Sequence, residues 1–192
     1  MTMEPLILAS ASPRRADLLR WAGVPIEIDP AAIDETRRPG EDPLEYAKRL
    51  AQEKALAKAT ARRLCLGADT TVFIGSRVFE KPADAAEAAR HLRNLSGQSH
   101  RVVTAFCLAD GDQPVHLQAV VSLVTFRTLT PCMIERYVAT GEGLDKAGAY
   151  GLQGWGGFLV ESIEGSYTNV VGLPLTEVLA ALESRKKTTK NP

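Results

Sequence analysis

An excess of charge of either sign is missing from this 192-residue sequence: Lys and Arg number 23, Asp and Glu 23, and the formal net charge is zero. A chain with no global field does not attract nucleic acid at large, so any anion site has to be local. Cysteine is scarce. Cys65, Cys107 and Cys132 stand far apart with no CxxC pair, which speaks against a disulfide framework and suits a reducing compartment. The three histidines, His91, His100 and His116, lack metal-ligand spacing, so zinc is not expected. No apolar run reaches the roughly 18 residues of a membrane span. The opening "MTMEP" lacks the basic start of a signal peptide. These absences lead to the expectation of a cytoplasmic protein whose partners include neither a nucleic-acid polymer nor a membrane. Neither GxxxxGK[ST] nor GxGxxG occurs, and "GWGG" is no established phosphate-loop pattern.

What is present is an ordinary globular composition, 45% apolar and 24% charged, in a chain long enough for one domain or two small lobes around a proper core. Strand-like and helical runs alternate. "LILA" leads into a helix from Pro13 to Trp21, and "PIEID" is a short strand. Residues 43–63 read as one long helix whose inner face is Leu44, Ala47, Ala51 and Ala55. "LCLGADTTVFI" is a strand with a glycine at its centre, and "GS" then "RVFEKP" a hairpin return. Residues 83–97 form a helix, 100–110 and 115–129 two strands joined by the "DGDQP" turn, and Thr130–Pro131 opens another helix. "GFLVESIEG" is a strand, "LTEVLAALES" the last helix, and "RKKTTKNP" a frayed polar tail. The pattern predicts an α/β fold with a mixed sheet, since it holds both crossover helices and hairpins. A division between lobes is placed near Leu95–His100, and residues 1–192 are read as one sequence domain.

Three stretches carry chemistry. In "SASPRR", Ser12 is the expected N-cap and Pro13 the first helical residue. Arg14 and Arg15 then sit in the first turn, where the helix dipole disfavours a cation by roughly 0.3–1 kcal/mol. A bound polyphosphate between them, helped by the serine hydroxyls, explains the pair. The alternative is that both face solvent beside acidic partners. In "GADTTV", Asp69 stands inside an apolar strand, where a carboxylate is costly without a task. It binds a metal, takes a proton, or is a turn aspartate at a strand end. Glu35, in a polar loop, is a possible second metal ligand. Lys54, Lys81 and Lys146 are point charges suited to phosphates, and Gln153 is a two-sided hydrogen-bond reader.

Together the blocks "LILASASPRR", "DET", "EKA", "GADTTV", "EKP", "LSGQSH", "DKAGAYGLQG" and "GSYTNVVGLPL" resemble the Maf family of nucleotide pyrophosphatases, and the likeness covers nearly the whole chain. The resemblance implies an inosine-triphosphatase-like fold: an elongated, curved mixed sheet flanked by helices, with two lobes and a deep cleft. It implies cleavage of nucleoside triphosphates between the α and β phosphates, with Mg²⁺ or Mn²⁺, by a homodimer. Ser10, Arg14 and Arg15 match the phosphate end of the cleft, and Lys54 and Lys81 match lysines facing the triphosphate. Asp69 matches the proton acceptor, and with Glu35 the metal site. Arg14, Thr70 and Gln153 match positions linked to substrate choice. Lys146 and Gln153 place the chain with the dTTP- and UTP-preferring subgroup; the other subgroup, preferring 7-methyl-GTP, has Cys and Glu there. The implied role is pool cleansing of modified pyrimidine nucleotides or arrest of division. The competing class is a non-enzymatic nucleotide-binding regulator of septum formation. Trp155 receives no role.

Overall fold

A computed structural model describes residues 4–61 and 63–189, the last four by backbone alone. Seven strands form one mixed sheet. β1 (Leu6–Leu8) lies parallel to both β2 (Ile26–Ile28) and the start of β3 (Leu64–Ile74). β4 (Arg77–Phe79) turns back beside the end of β3. β5 (Ser99–Asp110) runs antiparallel to β3 along almost its whole length, then β6 (Gln113–Phe126) and the short β7 (Val160–Glu164) complete the order β2-β1-β3-β5-β6-β7. The helices are α1 (Pro13–Trp21), α2 (Pro43–Lys58), α3 (Ala85–Leu95), α4 (Pro131–Val138), α5 (Tyr167–Val171) and α6 (Leu175–Thr189). The mixed α/β sheet flanked by helices agrees with the sequence reading.

On one face of the long strands Ala47, Ala51 and Ala55 of α2 pack along β5 from Val103 to Ala109; on the other face apolar side chains gather at the two ends. One cluster joins β1, α1 and α6 to Leu66 and Ala68 of β3 and Phe106 and Leu108 of β5. The other joins α3 and α4 to Val72 of β3, Val102 of β5 and Phe126 of β6. Leu92, Leu95 and Val102 share this second cluster. Leu92 and Leu95 thus pack with Val102 across the expected boundary near Leu95–His100, and the two clusters of this face divide in the middle of β3 and β5.

Several element bounds differ from the pattern. The helix expected over 43–63 ends at Lys58, where Ala59 turns to extended backbone. Lys58 is held there by Asp29 at 2.7 Å, and a Thr60–Arg63 bridge returns the chain into β3. Helix propensity yields to that tertiary closure. The strand expected from Gly157 begins at Val160, after a 3₁₀ turn over Trp155–Leu159 whose last side chain is buried. α5 was not predicted, although Ser166 caps it by accepting from Asn169 N at 3.2 Å. The polar tail is helical through Thr189 rather than frayed; its last three residues and the first three of "MTMEP" lie outside the described residues.

Candidate functional site

The site begins with a gap in the sheet. β1 accompanies β3 only at Cys65 and Leu66, and β4 only from Val72 to Ile74. Between them, residues 67–71 have no strand on that edge, and exposed backbone groups inside a fold need other partners. A cleft of about 810 Å³ opens there, and Ser10, Arg14, Arg15, Glu35, Lys54, Asp69, Thr70, Lys81, Lys146 and Gln153 all line it. The structure thus brings together every residue singled out from the sequence.

At its centre, Lys54 Nζ stands 2.8 Å from Asp69 Oδ1 and 2.9 Å from Glu35 Oε1. The glycine at the middle of β3 makes this possible. A Cβ on Gly67 would lie 2.2 Å from the Ala51 carbonyl and 2.4 Å from Ala55 N, so only glycine lets α2 approach closely enough. The alanine face of α2 seats on β3 and aims Lys54 at Asp69, one residue beyond Ala68 on the strand. Burial pushes the Asp69 carboxyl above its ordinary range, against the opposing pull of Lys54 and Arg15. Burial also acts on Glu35, but the hydrogen bond and charge of Lys54 overcome it and hold that carboxyl below its ordinary value. Lys81, after β4, adds its charge to the same effect.

The loop carrying Glu35 is fastened to α2. Tyr46 donates its hydroxyl to the Glu35 carbonyl at 2.8 Å, and Arg49 Nη2 donates to Thr36 O at 3.1 Å. Arg49 itself is gripped by Glu41 through two charge-assisted bonds of 2.7 and 2.9 Å, and by Glu53 at 3.2 Å. The Arg49 bonds, helped by Arg38, hold the Glu41 carboxyl down at about 2. A depressed carboxyl adds stability that is present above its unfolded value and lost as pH falls through the folded one. We therefore expect Glu41→Gln to lower Tm at neutral pH, and the gap from wild type to close between about 4.5 and about 2. Melting curves across that range check this; a gap that stays constant overturns it.

The paired arginines do different things. Arg15 is buried. It donates Nε to Gly172 O at 2.8 Å, Nη1 to Ser10 Oγ at 3.0 Å and Ala68 O at 2.9 Å, and Nη2 to Thr70 Oγ1 at 3.1 Å. Its guanidinium fills the gap in the sheet edge, satisfying the carbonyl that a strand would have paired. Four of its five N–H groups serve the protein, and one Nη2 N–H is left towards the cleft that Arg15 lines. Among the described residues, Arg14 meets only Asp145, at 3.5 Å, and its side chain stays a quarter exposed in the cleft. Ser12 sits at the N-cap position but makes no side-chain cap; its own N–H donates to Ser10 Oγ at 3.2 Å. Thr70 is similarly engaged, between Arg15 and Thr104 Oγ1 at 2.9 Å.

The far wall holds Lys146 and Gln153. Lys146 Nζ contacts Asp145 Oδ1 at 2.5 Å and the Glu142 carbonyl. Asp145 so links Arg14 to Lys146; burial pushes its carboxyl up, but the hydrogen bonds and charges of Lys146 and Arg14 together outweigh it and hold the carboxyl low. The sequence reading missed Asp145, although its place beside Lys146 in "DKAGAYGLQG" was the signal. Trp155 is 62% exposed and does not line the cleft.

Among the described residues, no three His, Cys, Asp or Glu side chains converge as a metal site. One ammonium nevertheless reaches the carboxylates of both Asp69 and Glu35, so a single cation can be shared by the pair. Two hard oxygen donors on one cleft wall, with phosphate oxygens completing the shell, suit Mg²⁺.

The chain matches the family described as "Maf-like protein" over residues 5–185. It is 50% identical to a dTTP/UTP pyrophosphatase of Alcanivorax borkumensis over 183 residues, covering 93% of this chain and 94% of that one. A dTTP/UTP pyrophosphatase of Escherichia coli O157:H7 is 52% identical over 185 residues, 95% and 93% of the two chains. One from Geobacter sulfurreducens is 49% identical over 180 residues, 92% and 94%. Among solved structures, a HAM1 protein from Coxiella burnetii aligns at 17% identity with a TM-score of 0.49, over 99% of this chain and 100% of that one.

Proposed function

This chain belongs to the Maf-like proteins, and on that premise we propose that it is a nucleoside triphosphate pyrophosphatase acting on dTTP and UTP. The observation that carries the reading is the buried Asp69 carboxylate at the centre of a cleft lined by Arg14, Lys54, Lys81 and Lys146. A triphosphate brings about four negative charges, and positioned cations stabilise both its binding and the charge that develops on cleavage. Asp69 takes a proton from a water that attacks the α phosphorus. The bond from that phosphorus to the bridging oxygen breaks, and pyrophosphate leaves with the electron pair. The nucleoside monophosphate keeps the water's oxygen. Lys54 holds Asp69 in place, while Arg14 and Lys81 lie where phosphates enter. Ser10 and the remaining N–H of Arg15 complete the phosphate end. Glu35 and Asp69 would hold a Mg²⁺ or Mn²⁺ ion, which when bound neutralises phosphate oxygens. A cytoplasmic homodimer, with residues 1–192 as one domain, belongs to the same proposal through the resemblance.

Incubation with dTTP and Mg²⁺ tests the reading by its products: dTMP and pyrophosphate are expected. Release of inorganic phosphate, or binding without turnover, overturns it; the latter favours the nucleotide-binding regulator. The base is proposed to meet Gln153, which lines the cleft. Thymine and uracil present a carbonyl–imide–carbonyl edge that an amide pairs with from both of its ends. Gln153→Glu keeps the size but sets a carboxylate oxygen against a pyrimidine carbonyl. We expect kcat/KM for dTTP and UTP to fall roughly ten- to a hundredfold. GTP and 7-methyl-GTP, whose guanine edge carries N–H donors, should lose less or gain. An equal fall for all four nucleotides means that Gln153 serves the phosphates or the fold.

A further inference from the structure

Glu142 and Tyr137 lie outside the lining of the cleft, yet Gln153, proposed to meet the base, and Lys146 of the same wall hang on them. The Glu142 carboxylate accepts three donors. Trp155 N reaches Oε2 at 2.9 Å, while Gly156 N and the Tyr137 hydroxyl reach Oε1 at 3.0 and 3.2 Å. Its main-chain carbonyl accepts Lys146 Nζ. Tyr137, buried in the core on α4, accepts in turn from Gly151 N at 3.0 Å. The turn that carries Gln153 is therefore pinned at both ends, by Tyr137 at Gly151 and by Glu142 at Trp155 and Gly156. The glycines of "GLQGWGG" make room for these contacts. Gly154 has φ +88°, and a Cβ on it would lie 2.7 Å from Glu142 Oε2. A Cβ on Gly151 would lie 2.8 Å from Lys146 Cε.

We propose that Glu142, acting with Tyr137, is the positioning residue that sets where Gln153 and Lys146 stand, and through them the preference for pyrimidine over purine nucleotides. The proposal rests on the reading above that Gln153 meets the base. Hydrogen bonds weaken steeply with distance and angle, so a turn displaced by about an ångström loses the base contact. Glu142 makes no contact with Asp69, Lys54 or Glu35, and turnover of a nucleotide that does not need Gln153 should persist. A carboxylate is required because one side chain must accept from two backbone N–H groups and a hydroxyl; a glutamine offers one acceptor oxygen and turns a donor towards the other N–H.

The test compares Glu142→Gln, Tyr137→Phe, Gln153→Ala and the double variant Glu142→Gln/Gln153→Ala. For each, kcat and KM are measured for dTTP and dGTP with Mg²⁺, together with Tm. We expect the dTTP-to-dGTP ratio of kcat/KM to fall roughly tenfold or more in Glu142→Gln, carried mainly by KM for dTTP. Tyr137→Phe should move it the same way, and the double variant should be no worse than Gln153→Ala, because the two act through one contact. Equal losses for both substrates, or losses that only follow Tm, assign Glu142 to the fold and overturn the proposal. If Gln153→Ala shifts the ratio and Glu142→Gln does not, the proposal fails while the base-reading role stands. If Glu142→Gln shifts it and Gln153→Ala does not, positioning acts through Lys146 and the role of Gln153 falls. If neither shifts it, both fail. Should Glu142→Gln not fold, Glu142→Asp keeps both acceptor oxygens on a shorter arm and carries the same comparison.

Discussion

Asp69→Asn is expected to lower kcat by roughly 10²–10⁴, the range that loss of a positioned general base produces. The substitution keeps the shape of the side chain. An amide oxygen can still accept from Lys54 Nζ, which now stands 2.8 Å from Oδ1. The second oxygen, whose protein contact is a long 3.4 Å bond from Thr71 Oγ1, becomes an NH₂ group that accepts no proton. Lys54 keeps Glu35 as a charged partner at 2.9 Å. The variant also removes a carboxylate that burial disfavours, so no large loss of Tm should accompany the loss of rate. Nucleotide binding should survive because Arg14, Lys81 and Lys146 are untouched. A fall in kcat and kcat/KM together is the mark of an interaction made in the transition state. Steady-state kinetics with dTTP, a binding titration and a melting curve on the same preparation decide the matter. Near-normal kcat removes Asp69 from the chemistry. Lost binding or a collapsed Tm makes its carboxylate chiefly the partner of Lys54.

Arg15→Ala is expected to cost about 3–5 kcal/mol of stability, because each buried acceptor left without its donor costs about 1–3 kcal/mol. In a chain of this size that is roughly 6–20 °C in Tm. The guanidinium connects three parts of the chain: Ser10 after β1, Ala68 and Thr70 on β3, and Gly172 at the end of α5. Truncation leaves the buried carbonyls of Ala68 and Gly172 without that donor and withdraws a positive charge that helps Asp69 stay ionised. Arg15→Lys should recover little, because one ammonium cannot span the planar fork. Arg14→Ala should behave oppositely. Its partner Asp145 is two-thirds exposed, at 3.5 Å, so Tm should hold while KM for the nucleotide rises. Thermal melts of the three variants without ligand test the contrast. An Arg15→Ala protein that melts like wild type would mean the clamp contributes nothing.

That contrast marks where sequence reading ran out. Arg14 and Arg15 are both first-turn cations set against the helix dipole, and in sequence they look alike. Only Arg15 turns into the sheet, because the carbonyl it serves lies on a strand edge left open between β1 and β4. A pattern of strands does not reveal which part of an edge is unpaired. The glycine at the centre of "LCLGADTTVFI" was visible, but its purpose, contact with the backbone of α2, needed the helix in place. Asp145, Tyr137 and Glu142 were missed for a related reason. Each looks like an ordinary residue near the end of a helix or in a loop until its partners, some of them more than ten positions away, arrive beside it.

From its own pattern the sequence determined the alternation of strands and helices, the mixed sheet, the absence of a global charge and the family blocks. These rest on local signals: period, caps, turn residues and residue type at fixed spacing. The tertiary structure decided which cations face the cleft, that one lysine serves two carboxylates, and where the two core clusters divide. It also decided that Glu142 holds the turn of Gln153. Those are contacts between distant positions, up to 157 residues apart for Arg15 and Gly172. Their energy depends on burial and on distances of a few ångströms, and neither exists before the sheet brings the segments together.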